Sequence, residues 1–545
     1  RIDNSHTKYE QKLYASSNAT ITEESTQGHY TIAKPDETQT YADVLANINK
    51  RFGDYSLVAN VGASIVNNKF EELSYRGPIR EKGIPNVFNV FDLDNAKKKA
   101  RQDEWQEQTQ SIFASVEVGW KSMLYLTLTG RNDWASQLAN SSTSSFFYPS
   151  VGLSGVISEM IQMPSFIDYM KVRGSFSSVG MPYPRNLTSP TYEYNEATQS
   201  WKPKTHYPIG DLKPERTDSW EVGLDMKLLK DFNLGLSWYL ANTFNQTFDP
   251  QISVSSGYTT IYLQTGYVRN TGLELSLGYG HTWNNNFRWD SNFTLSHNKN
   301  KIKELVRDYV HPETGELINK DRLDVGGLGK ARFILKEGGT LGDLYTQSDL
   351  KRDDNGMVDI DPTGIVAIEN NLPDIKLGSV FPKANLAWSN HFSWKGISLS
   401  ALFTARIGGI VYSATEAAMD QYGVSERSAL ARDNGGVLVN NRTLVDAQNY
   451  YTTIGSESGL PQYYTYNATN VRLQEASIGY LIPRKWLGNV CDIQVSVIGR
   501  NLWMIYNKAP FDPESVATTD NYYQGIDYFM LPSTRNIGFN VKINF

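Results

Sequence analysis

The chain has 545 residues, a formal net charge of −6 and one cysteine, Cys491, which with no dense basic run excludes a nucleic-acid footprint and an internal disulfide. Mean hydropathy is −0.44, and no run of about eighteen apolar residues occurs, so no helix of this chain spans a membrane. A membrane β-barrel stays open, because its strands meet lipid only at every second residue.

The first forty residues are polar; Tyr9 to Tyr14 predicts a strand with a loop after it. From there, apolar and polar side chains alternate in segment after segment. Leu124, Leu126 and Leu128 share one face. Trp220, Val222, Leu224, Met226 and Leu228 alternate with Glu221, Gly223, Asp225 and Lys227. After a tight connection at Lys230-Asp231, Phe232, Leu234, Leu236, Trp238 and Leu240 do the same. Leu273, Leu275, Leu277 and Tyr279 precede a turn at Asn284 to Asn286. Phe287, Trp289, Phe293 and Leu295 then oppose Arg288, Asp290, Asn292 and Thr294. Ile493, Val495 and Val497 follow. The chain ends on Ile537, Phe539, Val541, Ile543 and Phe545, whose terminal ring reads as a membrane-insertion signal. Successive strand residues point to opposite faces, so each segment has one greasy and one wet side. About fifteen such segments run for about nine to thirteen residues, the length a tilted strand needs to cross a bilayer.

The connections alternate as well. Short ones fall at Phe52 to Asp54, Trp120 to Met123, Lys230-Asp231, Asn284 to Asn286 and Trp394 to Gly396. Long ones run roughly over 180–217, 245–266, 305–380, 410–468 and 507–533. Short periplasmic turns and long outer loops are how membrane barrels are built. Short helices or irregular turns are expected at Met160 to Met170 and at Pro483 to Gly488, both on the short-turn side. Aromatic residues near strand ends suit girdles at the headgroup level: Trp134, Phe146, Phe147, Tyr148, Trp283, Trp388, Phe392 and Trp394. Ordinary strand composition is the alternative, since aromatic residues favour strands anyway. No repeat of fixed period and no linker divides the chain, which reads as one domain over 1–545.

Several stretches fall in a characteristic order. Gly130-Arg131-Asn132-Asp133-Trp134 precedes Phe146-Phe147-Tyr148-Pro149-Ser150-Val151-Gly152 and Val172-Arg173-Gly174-Ser175-Phe176-Ser177. Leu212-Lys213-Pro214-Glu215 leads into Trp220-Glu221-Val222-Gly223, and Asn270-Thr271-Gly272-Leu273-Glu274 and Gly499-Arg500-Asn501-Leu502 follow. In this order the set resembles the C-terminal barrel part of SusC/RagA-type TonB-dependent outer-membrane transporters of Bacteroidetes, from about residue 40 to Phe545. The resemblance implies an all-β fold, a transmembrane antiparallel β-barrel of which this chain supplies about fifteen or sixteen of 22 strands, with a plugged lumen. It also implies import of glycans or oligopeptides through the outer membrane of a Gram-negative bacterium. The implied partners are a SusD-like surface lipoprotein and the TonB–ExbB–ExbD complex.

The sequence departs from that pattern at its start, where plug, TonB box and signal peptide are not found. The expectation is therefore a C-terminal portion of a longer protein, whose native mass exceeds the 61.4 kDa of this chain.

Candidate ligand contacts lie in the outer loops. Tyr450, Tyr451, Tyr463, Tyr464 and Tyr466 gather before Val471, and Tyr522, Tyr523 and Tyr528 lie beside Asp520 and Asp527. Aromatic faces stack on sugars or apolar side chains, and carboxylates accept hydroxyl or amide donors. The alternative is that these rings pack the loops together. Glu221, Asp225, Lys227, Glu274, Arg288 and Asp290 are expected to face the lumen and its plug. Asp353, Asp354, Asn355, Asp359 and Asp361 offer oxygen donors for Ca²⁺. Their spacing departs from an EF-hand, with Gly356 fourth rather than sixth, so a solvated loop is the better reading. No other cofactor is implied.

Catalysis has no motif to stand on. The seven histidines form no HExxH pair, and no GxSxG occurs. Gly326-Gly327-Leu328-Gly329-Lys330 imitates a phosphate loop, yet Ala331 stands where Ser or Thr should bind Mg²⁺. Three rivals to an energised importer remain: a passive porin, a rim enzyme using His281 or His297, and a secreted β-rich binding protein.

Overall fold

A computed structural model describes the chain except residues 16–25, 140, 142, 186, 188–192, 196–199, 203–205, 208–212, 249–259, 262, 265, 284–285, 311–316, 457, 519–522 and 545. One antiparallel sheet of 17 strands dominates. In chain order its strands are β1 (Ile2–His6), β2 (Tyr9–Leu13), β3 (His29–Phe52), β4 (Tyr55–Pro78), β5 (Lys99–Trp120), β6 (Leu124–Ala135), β7 (Phe146–Val156) and β8 (Ile167–Met181). There follow β9 (Glu215–Leu228), β10 (Phe232–Phe244), β11 (Tyr267–Thr282), β12 (Phe287–Glu304), β13 (Ala384–Trp394), β14 (Ile397–Ile407), β15 (Asn470–Ile482), β16 (Asp492–Asn507) and β17 (Asn536–Asn544). From β3 onward each strand pairs with its neighbours in sequence. β1 and β2 both pair with β3, as one broken edge strand, which leaves sixteen positions. β17 pairs with β16 alone, so among the described residues the barrel wall is open between its first and last strands.

The pairing register carries the alternation around the wall. Met226, Leu234, Leu277, Phe293, Trp388 and Phe403 form one apolar row across six strands. The row beside it, on the other face, runs through Gly235, Ser276, Thr294, Ala387 and Thr404. A one-residue slip would exchange the two faces, so the apolar face fixes the register.

Strands β3 to β5 show where the membrane lies. Their outward rungs begin at Phe52–Tyr55–Trp120, continue through Ile48–Ala59–Val116 and Val44–Ala63–Ile112, and reach Ala42–Ile65–Gln110. The next rungs are Thr40–Asn67–Gln108 and, further out, Asp36–Glu71–Glu104. Ten residues separate the first apolar rung from the last. At about 3.3 Å per residue and a tilt of about 40°, that is a band about 25 Å tall, matching the apolar belt of outer-membrane barrels. The strands themselves reach 24 residues, longer than the expected nine to thirteen. Their outer thirds are mostly polar on both faces, Tyr30, Ile32, Leu73 and Trp105 apart, and apolar alternation registers only the part within lipid.

The short connections fall where expected and share one end. Lys395 (φ 48°) and Gly396 (φ 89°) close β13–β14, and Lys121 and Ser122 close β5–β6 with similar positive φ. Such mirror-image turns match the strand twist, which explains their use at two-residue hairpins. Helix α1 (Ile157–Met160) and a 3₁₀ turn at Arg484–Leu487 interrupt this end. The first reaches into the predicted Met160–Met170 segment, whose residues 161–166 are irregular as expected and whose last four open strand β8. Trp283, Phe287 and Phe392 cluster beside the turns and form a girdle. Trp388 does not join it, lying mid-band between Phe293 and Phe403.

Candidate functional site

The far end of the wall carries a module of its own. The connections 305–383, 408–469 and 508–535 meet in a hydrophobic core that includes Phe333, Leu344, Val380, Tyr412, Leu460 and Ile526. The strand Ile410–Ser413 pairs with Thr465–Asn467 and with Ile526–Asp527, so it ties two of the connections together. Three helices sit here: α2 (Ala414–Gln421), α3 (Glu426–Asp433) and α4 (Ala447–Ile454). Sequence reading missed them. Their N-caps were the available signal: Ser413, Ser425 and Asp446 each accept a backbone N–H three residues on, as capping requires.

At the centre of this module Asp420 is buried. It accepts hydrogen bonds from Tyr464 Oη (2.8 Å) and Ser425 Oγ, and pairs with Arg427 Nε at 2.7 Å. The Arg427 guanidinium also lies over the Tyr464 ring, 4.7 Å from its centroid. Burial, and then the Asp420 charge, push the Tyr464 hydroxyl far above its usual range.

The predicted tyrosines therefore divide. Tyr464 is a core residue at 1% exposure, which corrects its reading as a ligand contact. Tyr450, Tyr451 and Tyr463 pack half-buried against the core, and burial, followed by the neighbouring Tyr463, pushes Tyr450 up to about 12. Tyr466 meets Phe511 edge-on at 5.6 Å. Asp527 is buried and accepts from Ser413 Oγ at 2.5 Å, so it too is structural. Tyr523 and Tyr528 stay exposed. Tyr522, Asp520 and Phe545 lie outside the described residues.

The acidic segment is a small fold rather than a convergent ligand set. Asp353 Oδ1 accepts the N–H groups of Asn355 and Met357, both at 2.9 Å. Asp361 Oδ1 accepts those of Thr363 and Ile365, at 2.8 and 3.0 Å. These bonds draw both carboxyls below their usual range, with the Met357 N–H the largest cause at Asp353 and the Thr363 hydroxyl at Asp361. Asp359 pairs with Lys351 at 2.9 Å. Among the described residues no three His, Cys, Asp or Glu gather as metal ligands.

A repeat emerges instead, against the expectation of none: Leu350, Val358 and Val366 recur every eight residues. One residue after each, Lys351 N–H donates to Ala367, Asp359 N–H to Lys351 and Ala367 N–H to Asp359, at 2.8, 2.8 and 3.0 Å. These bonds close three short extended segments in a ring over the buried Leu350 and Val366. Nearby, the glycine run proves to be a hairpin. Gly327 (φ 154°) sits at a register shift, where an added Cβ would lie 2.1 Å from the Ala331 carbonyl.

Asp374 ties this region to the strand Arg322–Leu328. It receives Arg322 Nε at 2.6 Å, Arg322 Nη2 at 2.9 Å and Lys336 Nζ at 2.9 Å. Those cations, Arg322 foremost, hold its carboxyl well below the usual range. A depressed folded-state pKa gives stability that is complete above the unfolded value of about 4 and is lost as pH falls through the folded value. Protease resistance of residues 322–336 is accordingly expected to survive at about pH 4 and to fail in stronger acid. Asp374→Asn should abolish that acid step; an unchanged acid profile in the variant would count against the pair.

On the lumenal face the predicted charges are largely paired. Arg173 donates to Glu221 (3.0 Å), Asp225 (2.8 Å) and Ser237 (2.6 Å). It crosses Gly223, where an added Cβ would lie 2.5 Å from the guanidinium, so this approach needs glycine. Arg288 grips Asp290 with two bonds, at 2.6 and 2.7 Å. Lys227, Arg288 and Asp290 line a cavity of about 600 Å³ near the short turns. Glu274 lines another of about 650 Å³ beneath the outer module. Two clusters were not anticipated as sites. Arg131 donates to Asp133 (2.7 Å) and Ser111 (2.7 Å), with Tyr148 donating to Asp133. Arg472, 5% exposed, grips Asp512 through two bonds and pins the last outer connection to the wall. The first was signalled by its place in the Gly130–Trp134 motif; the second has no local sequence signal.

Comparison with known proteins completes the picture. Residues 2–346 match the family described as "TonB dependent receptor-like, beta-barrel". TonB-dependent receptor P3 of Formosa agariphila is 23% identical over 561 aligned residues, covering 94% of this chain and 53% of the relative. TonB-dependent receptor P26 of the same organism is 24% identical, covering 84% and 48%. The RagAB peptide transporter superposes with a TM-score of 0.75 at 16% identity, over 100% of this chain and 59% of that one. The RagAB peptide importer in its closed-closed state gives 0.72 at 18% identity. The chain thus spans about half the length of the curated relatives it matches.

Proposed function

Because the chain belongs to the TonB-dependent receptor-like β-barrel family, we propose that it walls an energised importer in the outer membrane of a Gram-negative bacterium. The observation that carries this is the wall itself: an apolar outer face about 25 Å tall backed by a lumenal face of paired charges. The cargo is a glycan or an oligopeptide, captured at the outer module, and TonB–ExbB–ExbD supplies the energy. The test is uptake of labelled oligosaccharide or peptide by intact cells. Uptake should stop when TonB is deleted or the proton gradient is collapsed. Uptake that persists under both conditions fits a passive porin and rejects this reading.

A SusD-like lipoprotein is the proposed lid. Supporting it, the outer module leaves Tyr422, Val424, Leu430, Leu438 and Leu444 more than half exposed within one stretch of chain. Apolar side chains gathered on a soluble surface usually mark a protein interface. Leu438 and Leu444 face each other across a hairpin. The double variant Leu438→Asp, Leu444→Asp is expected to lose co-purification of the SusD-like lipoprotein while the barrel still folds. Undiminished co-purification would place the lid elsewhere.

A further inference from the structure

Five adjacent strands align Ser237, Glu274, Ser296, Asn385 and Arg406 on the lumenal face. Glu274 and Arg406 are three strand spacings apart, about 14 Å at roughly 4.8 Å per spacing. Both line the cavity of about 650 Å³, where the hydroxyls and amide of Ser296, Asn385 and Thr404 lie between them beside Leu295 and Leu386. No aromatic ring lines this cavity, so a sugar finds no stacking surface there. Its roof comes from the outer module. The Val380 carbonyl accepts Arg406 Nη2 at 2.6 Å, and Glu514, another lining residue, is held by Arg472 at 3.3 Å.

Elsewhere on this wall carboxylates and guanidiniums neutralise each other, as in Arg173–Asp225, Arg288–Asp290 and Arg500–Glu475. These two do not. Among the described residues Glu274 has no ion-pair partner, and the buried Arg406 Nε has no acceptor, the Glu514 carboxylate acting on Arg406 from across the cavity while Arg472 holds it. Glu274 is exposed to the lumen and free to take a cation, and a buried guanidinium N–H without an acceptor is costly until something completes it.

We propose that this trough clamps a zwitterionic oligopeptide of about four residues, a length set by roughly 3.3–3.6 Å per extended residue. Its α-ammonium group meets Glu274 and its terminal carboxylate meets Arg406. The intervening amides lie over Ser296, Asn385 and Thr404. The clamp rests on the import reading, and names the cargo class that reading leaves open.

Calorimetric titration of the full-length transporter in detergent tests it. The probes are tetra-alanine with free termini, its N-acetyl form and its C-terminal amide. Each cap is expected to weaken binding about tenfold, as loss of one charge-assisted hydrogen bond does. Glu274→Gln should erase the penalty of the acetyl cap alone. Arg406→Gln should erase that of the amide alone, and Arg406→Lys should restore it. Equal binding of capped and free peptide, or no binding of tetra-alanine, overturns the clamp. The titration needs no energised membrane. TonB-dependent uptake without a preference for free termini therefore defeats the clamp only, whereas such a preference without energised uptake defeats the import reading only.

Discussion

Leu277→Arg is expected to destabilise the folded wall by about 2–4 kcal/mol, the cost of a basic side chain facing lipid near mid-bilayer. Ser276→Arg, one residue away, is expected to change stability little. The difference comes from register. Leu277 lies in the apolar row with Leu234, Phe293 and Trp388, where a guanidinium meets acyl chains and finds no partner. Ser276 faces the lumenal cavity that also holds Glu274, where a guanidinium stays solvated or pairs. Denaturant unfolding in phospholipid vesicles measures both. Equal effects at the two positions would mean that the alternation does not separate lipid from lumen.

Asp420→Ala is expected to cost the outer module about 1–3 kcal/mol, because a buried acceptor is lost and the partly exposed Arg427 keeps only Glu416, at 3.6 Å. Tyr464 and Ser425 lose their shared acceptor at the same time. The core this network supports joins three connections, so residues 408–469 should become open to added protease. The wall should not notice, since its strands are held by their own ladders. Limited proteolysis and the unfolding midpoint separate the two effects. A module that stays resistant would show that apolar packing alone holds it; a lowered barrel midpoint would show that module and wall fold as one.

How much of this was legible in the residues follows from what each part is made of. The wall was readable because every strand repeats one two-residue rule, from Leu124 to Ile543, and because turns such as Lys395-Gly396 interrupt it cleanly. The outer ends of β3 to β5 were not, since they stand in water on both sides and no alternation is required of them. The loop module was opaque for a different reason. Its core joins residues as distant as Phe333, Tyr412 and Ile526, and no local pattern records such partners. The tyrosines were correctly located in sequence, but their number said nothing of direction. Asp420 turns Tyr464 inward, while Tyr523 stays out. The lumenal charges were legible as a face, whereas which of them lack partners depends on pairings between strands, as at Arg173 and Glu221.

The three-segment ring at residues 350–373 has no free edge of its own, because each segment's central N–H is spent on the next. An unpaired strand edge in water invites strand-to-strand adhesion between neighbouring molecules. Closing the ring removes that hazard. It also leaves Asp354 and Pro362 exposed at the tips, while the Thr363 hydroxyl beside them is spent on Asp361. Substitution at Asp354 and Pro362 is therefore expected to leave the barrel below undisturbed.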